Sequence, residues 1–191
     1  MIEDGPRTAA ATPPLPPLRA TLARLAGAGL PHALGGSGLL AALGLVERVN
    51  DWDVTVEADP QAIAARFPEG GYVLHGNSGG HADHKLTFAA ERIELIARFA
   101  FFVPGGVVRI PTLVTRTWNG IPVGSPSAWA VAYAIMADQE RDARRRARAD
   151  ALFAWLARHG ADGGRALLLA QPLPEEIAAR LRAIRPVPDR A

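Results

Sequence analysis

One stretch, residues 34–56, constrains the fold of this chain more than any other. It contains a Gly-Gly-Ser-Gly turn at residues 35–38, which lies between a short apolar run and a helical run. Glycines let a backbone approach a phosphate closely, and the start of a helix offers unpaired N–H groups and the positive end of a dipole. The turn therefore predicts a strand–turn–helix unit that can hold a phosphate group.

Two aspartates lie near the other end of the same stretch. Asp51 and Asp53 open a segment in which polar and apolar residues alternate as far as Glu57, which is typical of a half-buried strand. Residues two apart on a strand point to the same face and lie about 7 Å apart along it. Two carboxylates placed in this way can hold a divalent cation. A turn that can bind phosphate, followed by a pair of carboxylates that can bind a cation, favours chemistry on a metal–nucleotide complex.

A third acidic residue, Glu94, lies among apolar neighbours in a later strand-like segment. A carboxylate in such a segment is either buried with a partner or faces a cleft. If this strand lies beside the one that carries Asp51 and Asp53, the three carboxylates converge. Converging carboxylates repel one another unless a cation neutralises them, and Mg²⁺ (or Mn²⁺) suits oxygen ligands together with nucleotide phosphates.

The composition narrows the functional classes. The chain of 191 residues has no cysteine, which excludes disulfides, cysteine-ligated zinc and thiol catalysis. No apolar run approaches the roughly 20 residues of a membrane span, so we expect a cytoplasmic protein without a membrane partner. The net charge is only +2, with Lys85 the sole lysine, so nucleic acid is not an expected partner.

The order of helical and strand-like patterns predicts an α+β protein: a mixed sheet flanked by helices, with a helical C-terminal half. We expect helices at 17–28 and 37–46, and strands near 32–35, 52–57, 86–89 and 92–102. The predicted organisation is a flexible N-terminal segment at 1–15, an α+β core at 16–123, a helical region at 124–185 and a tail at 186–191. Ser125 or Ser127 is expected to cap the first helix of the helical region.

These features together resemble the nucleotidyltransferase superfamily, the polymerase-beta-like group whose small bacterial members include antibiotic nucleotidyltransferases. The resemblance rests on Gly35-Gly36-Ser37, on Asp51-Trp52-Asp53-Val54 and on Glu94, in that order. It covers about residues 31–100. It implies the mixed nucleotidyltransferase-like sheet and transfer of a nucleoside monophosphate from a nucleoside triphosphate (NTP) to an acceptor hydroxyl.

The resemblance also implies roles for individual residues. Asp51, Asp53 and Glu94 would be catalytic and would bind Mg²⁺ (or Mn²⁺), and Glu94 would complete the metal site or act as general base. The nucleotide phosphates would be held by Gly35, Gly36, Ser37 and Lys85. The expected acceptor is a small molecule such as an antibiotic, with a protein or tRNA as the second choice. A catalytically degenerate nucleotide-binding protein is the alternative.

Two further segments keep their own alternatives. Residues 75–84 contain His75, His81, Asp83 and His84, which suggests either a Zn²⁺ or Mn²⁺ site of a metal-dependent phosphohydrolase or a polar glycine-rich loop. The arginine-rich run at 141–148 indicates a solvated helix face paired with nearby acids, or a surface for phosphate or RNA. Trp129, Tyr133 and Trp155 are expected in the core. The sequence leaves the oligomeric state, the NTP and the acceptor open.

Overall fold

The computed structural model of the protein describes residues 12–77 and 79–187. Most of the expected flexible segment, the last four residues and Ser78 lie outside the described residues. The helices are α1 (Leu15–Gly27), α2 (Gly36–Ala42), α3 (Pro60–Ala64), α4 (Pro126–Glu140), α5 (Ala143–His159), α6 (Gly164–Leu169) and α7 (Glu175–Ala183). The strands are β1 (His32–Leu34), β2 (Trp52–Val56), β3 (Val73–His75), β4 (His84–Phe88), β5 (Ile93–Ala97), β6 (Ala100–Val103), β7 (Gly106–Arg109), β8 (Arg116–Trp118) and β9 (Ile121–Val123).

Seven strands form one mixed sheet in the order β3-β4-β5-β2-β1-β9-β8. The β2–β5 and β1–β9 pairs are parallel, and the other neighbours are antiparallel. Strands β6 and β7 form a separate hairpin. The expected mixed sheet with a helical C-terminal half is thereby confirmed. No helix in the described part of the chain combines the length and apolarity that a membrane crossing requires.

Strand β2 lies at the centre of the sheet, between β1 and β5. Trp52, Val54 and Val56 are fully buried in the main core. Asp53 alternates with them and therefore points to the opposite face. The predicted period-2 pattern of this segment thus decides which face of the sheet carries the carboxylates.

Helix α2 ends at Ala42, earlier than the expected residue 46. Gly44 adopts a left-handed conformation with φ +72°. Its N–H donates to Ala41, and the N–H of Leu45 donates to Leu40. This pair of bonds is a Schellman motif, which satisfies the last helical carbonyls and stops the helix.

The expected single strand at 92–102 is wrong, because the structure divides it into β5 and β6. Arg98 has φ +53°, and its N–H donates to the carbonyl of Val56 at 3.0 Å. The left-handed residue turns the chain away from the main sheet, and β6 then pairs with β7. Arginine is not a usual residue at such a position, so the sequence pattern gave no indication of the break.

Helix α4 connects the sheet to the helical half. Ser125 caps it by accepting a hydrogen bond from Ala128 N–H at 3.0 Å. Residues 126–137 of α4 are all buried, and the helix packs most extensively against α5. Arg141 is left-handed between the two helices, and Asp142 caps α5 by accepting from Arg144 and Arg145 N–H. Helix α5 therefore folds back along α4.

Candidate active site

The three predicted carboxylates lie together on the sheet. Asp53 and Glu94 are directly opposite each other in the parallel β2–β5 register, and Asp51 immediately precedes β2. All three line one cavity of about 230 Å³. The expected neighbouring strands are confirmed, and with them the convergence of the acidic residues.

The two aspartates of the cluster ionise less readily than free carboxylates. Burial, with added repulsion from Asp51 and Glu94, raises the pKa of Asp53 to about 7. Burial and the charge of Glu94 also raise the pKa of Asp51. Lys85 and Arg148 act in the opposite direction on both groups but do not cancel the effect. Such a site favours either a proton or a bound cation.

The glycine turn packs directly against the aspartate strand. Gly36 has φ +51°, and a Cβ at this position would overlap Oδ2 of Asp53. A Cβ on Gly35 would overlap the indole of Trp129. The Gly35 N–H donates to the carbonyl of Asp53 at 2.8 Å. Glycine is therefore required at both positions because side chains occupy the space that a Cβ would need.

Ser37 joins the turn to the first aspartate. Its side chain is only 2% exposed, and its hydroxyl donates to the carbonyl of Asp51 at 3.2 Å. The serine thus fixes the backbone that precedes β2. The hydroxyl therefore has a partner within the protein. Its contact with phosphate stays a prediction.

Lys85, the other residue predicted to bind the nucleotide, contacts a carboxylate. Its Nζ lies 3.3 Å from Oε2 of Glu94. The two side chains are 31% and 28% exposed, so solvent weakens the pair. Lys85 lines the same cavity as the three acids. Among the described residues, it is the cation that forms an ion pair with Glu94.

Residues of the helical half form the side of the cavity opposite the sheet. The sequence analysis did not predict any of them as site residues. Trp129 and Tyr133 of α4 are core residues, as expected, and they also line the cavity. Arg145 and Arg148 of α5 line it as well. Their i,i+3 spacing, which puts them on one helix face, was visible in the sequence, but the direction of that face was not.

Comparison with solved structures identifies the architecture. The solution structure of the antibiotic-resistance factor ANT(2'')-Ia aligns with a TM-score of 0.54 and 17% identity, over 87% of this chain and 87% of that chain. The chain has a nucleotidyltransferase-like fold. The crystal structure of ANT(2'')-Ia in complex with adenylyl-2''-tobramycin aligns with the same TM-score and 16% identity, over 87% of this chain and 93% of that chain. No family model and no curated protein sequence matches the chain.

On this nucleotidyltransferase-like fold, the histidine-rich loop lines a second cavity of about 490 Å³ beside the first. His81, Lys85 and Glu94 border both cavities. Nδ1 of His81 lies 3.5 Å from Oδ1 of the buried Asp83. His84 does not line either cavity. The loop thus borders the carboxylate site.

The carboxylate cluster and the histidine-rich loop are the two candidate metal sites. Within residues 12–77 and 79–187, no three His, Asp or Glu side chains form a metal-binding group. Neither the predicted site of Asp51, Asp53 and Glu94 nor the predicted histidine-loop site is therefore assembled as a set of three ligands. Asp51 and Asp53 nevertheless suit a hard cation as a pair, because their oxygens are the donors that Mg²⁺ prefers. Burial, with added repulsion between the acids, raises the pKa of both groups, and a bound cation would favour their ionised forms. Glu94 is held by Lys85.

Proposed function

We propose that the protein is a metal-dependent nucleotidyltransferase that moves a nucleoside monophosphate from an NTP to an acceptor hydroxyl. The observation that carries this proposal is the register of β2 and β5, which sets Asp53 opposite Glu94 and brings Asp51 into the same cavity. The nucleotidyltransferase-like fold supports the same reaction class.

Asp51 and Asp53 would hold Mg²⁺ (or Mn²⁺) together with the triphosphate. A divalent cation bound there supplies positive charge that stabilises the phosphate oxygens during transfer. The backbone of Gly35 and Gly36, with Ser37, positions the two aspartates and approaches the phosphates. In the transfer step, the acceptor oxygen bonds to the α-phosphorus, the bond to the β-phosphate oxygen breaks, and pyrophosphate leaves.

Glu94 is the residue proposed to activate the acceptor. Its carboxylate takes the proton of the acceptor hydroxyl as the new P–O bond forms. It lies between the cavity that holds Asp51 and Asp53 and the second cavity. Lys85 fixes the position of Oε2 at 3.3 Å. This placement lets Glu94 face a nucleotide on one side and an acceptor on the other.

The second cavity is the proposed acceptor site. Its volume of about 490 Å³ suits a small hydroxylated compound. The crystallised complex of ANT(2'')-Ia contains an adenylylated antibiotic, adenylyl-2''-tobramycin. We therefore propose an antibiotic-like small molecule as the acceptor of this chain, in preference to a protein or tRNA.

Thermal unfolding with ligands tests the binding half of the proposal. Mg²⁺ and an NTP together should raise the melting temperature, because a ligand that binds the folded state stabilises it by mass action. Asp51→Asn and Asp53→Asn should lose this increase and remain folded. Asp138→Asn, at an exposed residue paired with Arg146, should keep it. No increase for wild type with ATP, CTP, GTP or UTP would contradict nucleotide binding.

A further inference from the structure

Helix α5 presents a basic wall to the carboxylate cavity. Arg145 and Arg148 are both half-buried and line the cavity that contains Asp51, Asp53 and Glu94. Arg144 and Arg146, on other faces of the same helix, are exposed and do not line it. The arginine run is therefore divided, with part of it in solvent and part in the candidate active site.

Arg148 is oriented by an aromatic residue rather than by an acid. Its Nη1 donates to the hydroxyl of Tyr133 at 3.3 Å, and its guanidinium carbon lies 5.4 Å from the centre of the Tyr133 ring. Burial raises the pKa of the Tyr133 hydroxyl, so the group stays neutral and can accept this bond. In the described part of the chain no carboxylate forms an ion pair with Arg148.

Arg145 differs from Arg148 because it already has acidic partners. It contacts Glu140, and its Nε lies 3.4 Å from Asp142 Oδ2. Its position at the cavity rim is thus maintained by the turn between α4 and α5. Arg148, one helical turn further on, retains a positive charge that no ion pair within the described residues neutralises.

Two other side chains of the described site that could contact phosphate already have partners within the protein. Lys85 is paired with Glu94, and the Ser37 hydroxyl donates to the carbonyl of Asp51. Gly36 packs against the Asp53 carboxylate. A triphosphate carries several negative charges, which would be placed beside three carboxylates. A positive charge on the opposite side of the cavity, in addition to Mg²⁺, would offset this repulsion.

We propose that Arg148, oriented by Tyr133 and assisted by Arg145 at the rim, binds the phosphate chain of the nucleoside triphosphate. This assignment rests on the proposed function. A guanidinium group suits the role because its planar donors match phosphate oxygens in pairs and it stays charged at any physiological pH. The helical half then contributes directly to nucleotide binding, and the site is completed by α5 as well as by the sheet.

Calorimetric titration of the full chain tests this assignment. Wild type, Arg148→Ala and Arg148→Lys are titrated with ATP, CTP, GTP and UTP, each with Mg²⁺, and with the matching nucleosides. For the NTP that binds, Arg148→Ala should weaken binding by about tenfold or more, as expected for the loss of a charged hydrogen bond. The NTP affinity of Arg148→Lys should lie between those of wild type and Arg148→Ala, because lysine keeps the charge but lacks the paired donors. Nucleoside binding should be unaffected.

Arg144→Ala is the matched control, since it removes a positive charge from the exposed side of the same helix. It should change the dissociation constant by less than about twofold, and its salt dependence should match that of wild type. Arg148→Ala should show a shallower salt dependence. Equal NTP affinity in wild type and Arg148→Ala would overturn this assignment alone. Failure of wild type to bind any of these NTPs would overturn the proposed function and this assignment with it.

If Arg148→Ala does not fold, which circular dichroism would show, Arg148→Lys decides the question. Its affinity for the NTP should be lower than that of wild type while its nucleoside affinity is unchanged. Tyr133→Phe gives an independent reading, because it keeps the ring and removes only the hydroxyl that accepts from Arg148. If Tyr133→Phe weakens NTP binding by the same factor in the Arg148→Lys variant as in wild type, Tyr133 does not act by positioning Arg148.

Discussion

The carboxylate of Asp53 meets glycine backbone on one side and two other acids on the other. Gly36 occupies the space beside Oδ2, so no larger residue fits there. Burial, Asp51 and Glu94 together raise its pKa to about 7. The anionic form of Asp53 is therefore disfavoured relative to a free carboxylate, and a bound cation would favour it.

Asp53→Asn should remove a pH dependence of stability. The folded-state pKa of about 7 exceeds the usual 3.8, so the folded protein holds the proton more tightly. Wild type should therefore lose stability as the pH rises from roughly 4 to 7, while the variant should lose less, because only the smaller contribution of Asp51 remains. Their difference in unfolding free energy should approach at most about 4 kcal/mol above neutral pH, since one pKa unit corresponds to about 1.4 kcal/mol.

Urea unfolding at about pH 5 and about pH 8 measures this difference. Asp138→Asn serves as the control, because Asp138 is exposed and paired only at the surface. It should follow the wild-type pH dependence. An Asp53→Asn variant that is less stable than wild type at the higher pH would show that the carboxylate is a structural partner and would contradict its assignment to a cation site.

Gly36→Ala tests the contact between the turn and the aspartate. Gly36 and Gly44 both have positive φ, but only Gly36 lacks room for a Cβ. Gly44→Ala should therefore cost about 1–2 kcal/mol from backbone strain alone. Gly36→Ala should cost about 2–5 kcal/mol, because overlap with Asp53 adds to the strain. Chemical denaturation gives both values.

The same pair of variants separates stability from binding. Gly44→Ala should keep the stabilisation by Mg²⁺ with NTP, and Gly36→Ala should lose it because Asp53 is displaced. If both variants lose the same unfolding free energy, the turn can move to make room for a Cβ at position 36. The contact with Asp53 would then not be the reason that glycine is needed there.

At the scale of elements, the sequence predicted best where one local signal decides the structure. The alternation in β2 predicted which of its faces is buried and which carries the polar residues. Ser125 was one of two candidate caps of α4, and the structure selects it. The break at Arg98 was missed, because it depends on a hydrogen bond to Val56 in another strand.

The cap of α4 yields a stability prediction with a close control. Ser125 accepts from Ala128 N–H and donates to Asp162, whereas the buried hydroxyl of Ser127 has no hydrogen-bond partner among the described residues. Ser125→Ala should cost about 1–2 kcal/mol of unfolding free energy. Ser127→Ala should change it by less than about 0.5 kcal/mol or stabilise the protein. Urea denaturation compares them, and a reversed order would contradict the assigned cap.

At the scale of the whole molecule, the candidate site lies between the sheet and the helical half. The sheet supplies the acids, whose convergence the sequence order and spacing predicted. It also supplies Lys85, for which the resemblance implied a phosphate contact and which lies beside Glu94. Helices α4 and α5 supply Trp129, Tyr133, Arg145 and Arg148, which it did not. Their direction depends on how α5 folds back at Arg141 and Asp142, and helical periodicity alone cannot define which neighbour a face will meet.

The transfer reaction itself is the remaining whole-molecule prediction, and it depends on Glu94. The chain is incubated with Mg²⁺, a cell extract and ATP, CTP, GTP or UTP labelled at the α-phosphate. Wild type should give a labelled product and release pyrophosphate. Glu94→Gln should bind the nucleotide but form product at least about a hundredfold more slowly, in the range of general-base losses.

Glu91→Gln is the matched control, because Glu91 is exposed in the turn between β4 and β5 and does not line the cavity. The most direct measurement is the rate of labelled product formation in wild type, Glu94→Gln and Glu91→Gln at saturating nucleotide. We predict equal rates for wild type and Glu91→Gln and loss of product with Glu94→Gln. Undiminished product with Glu94→Gln would remove Glu94 from the mechanism, and no product from wild type with any of the nucleotides would contradict nucleotidyl transfer.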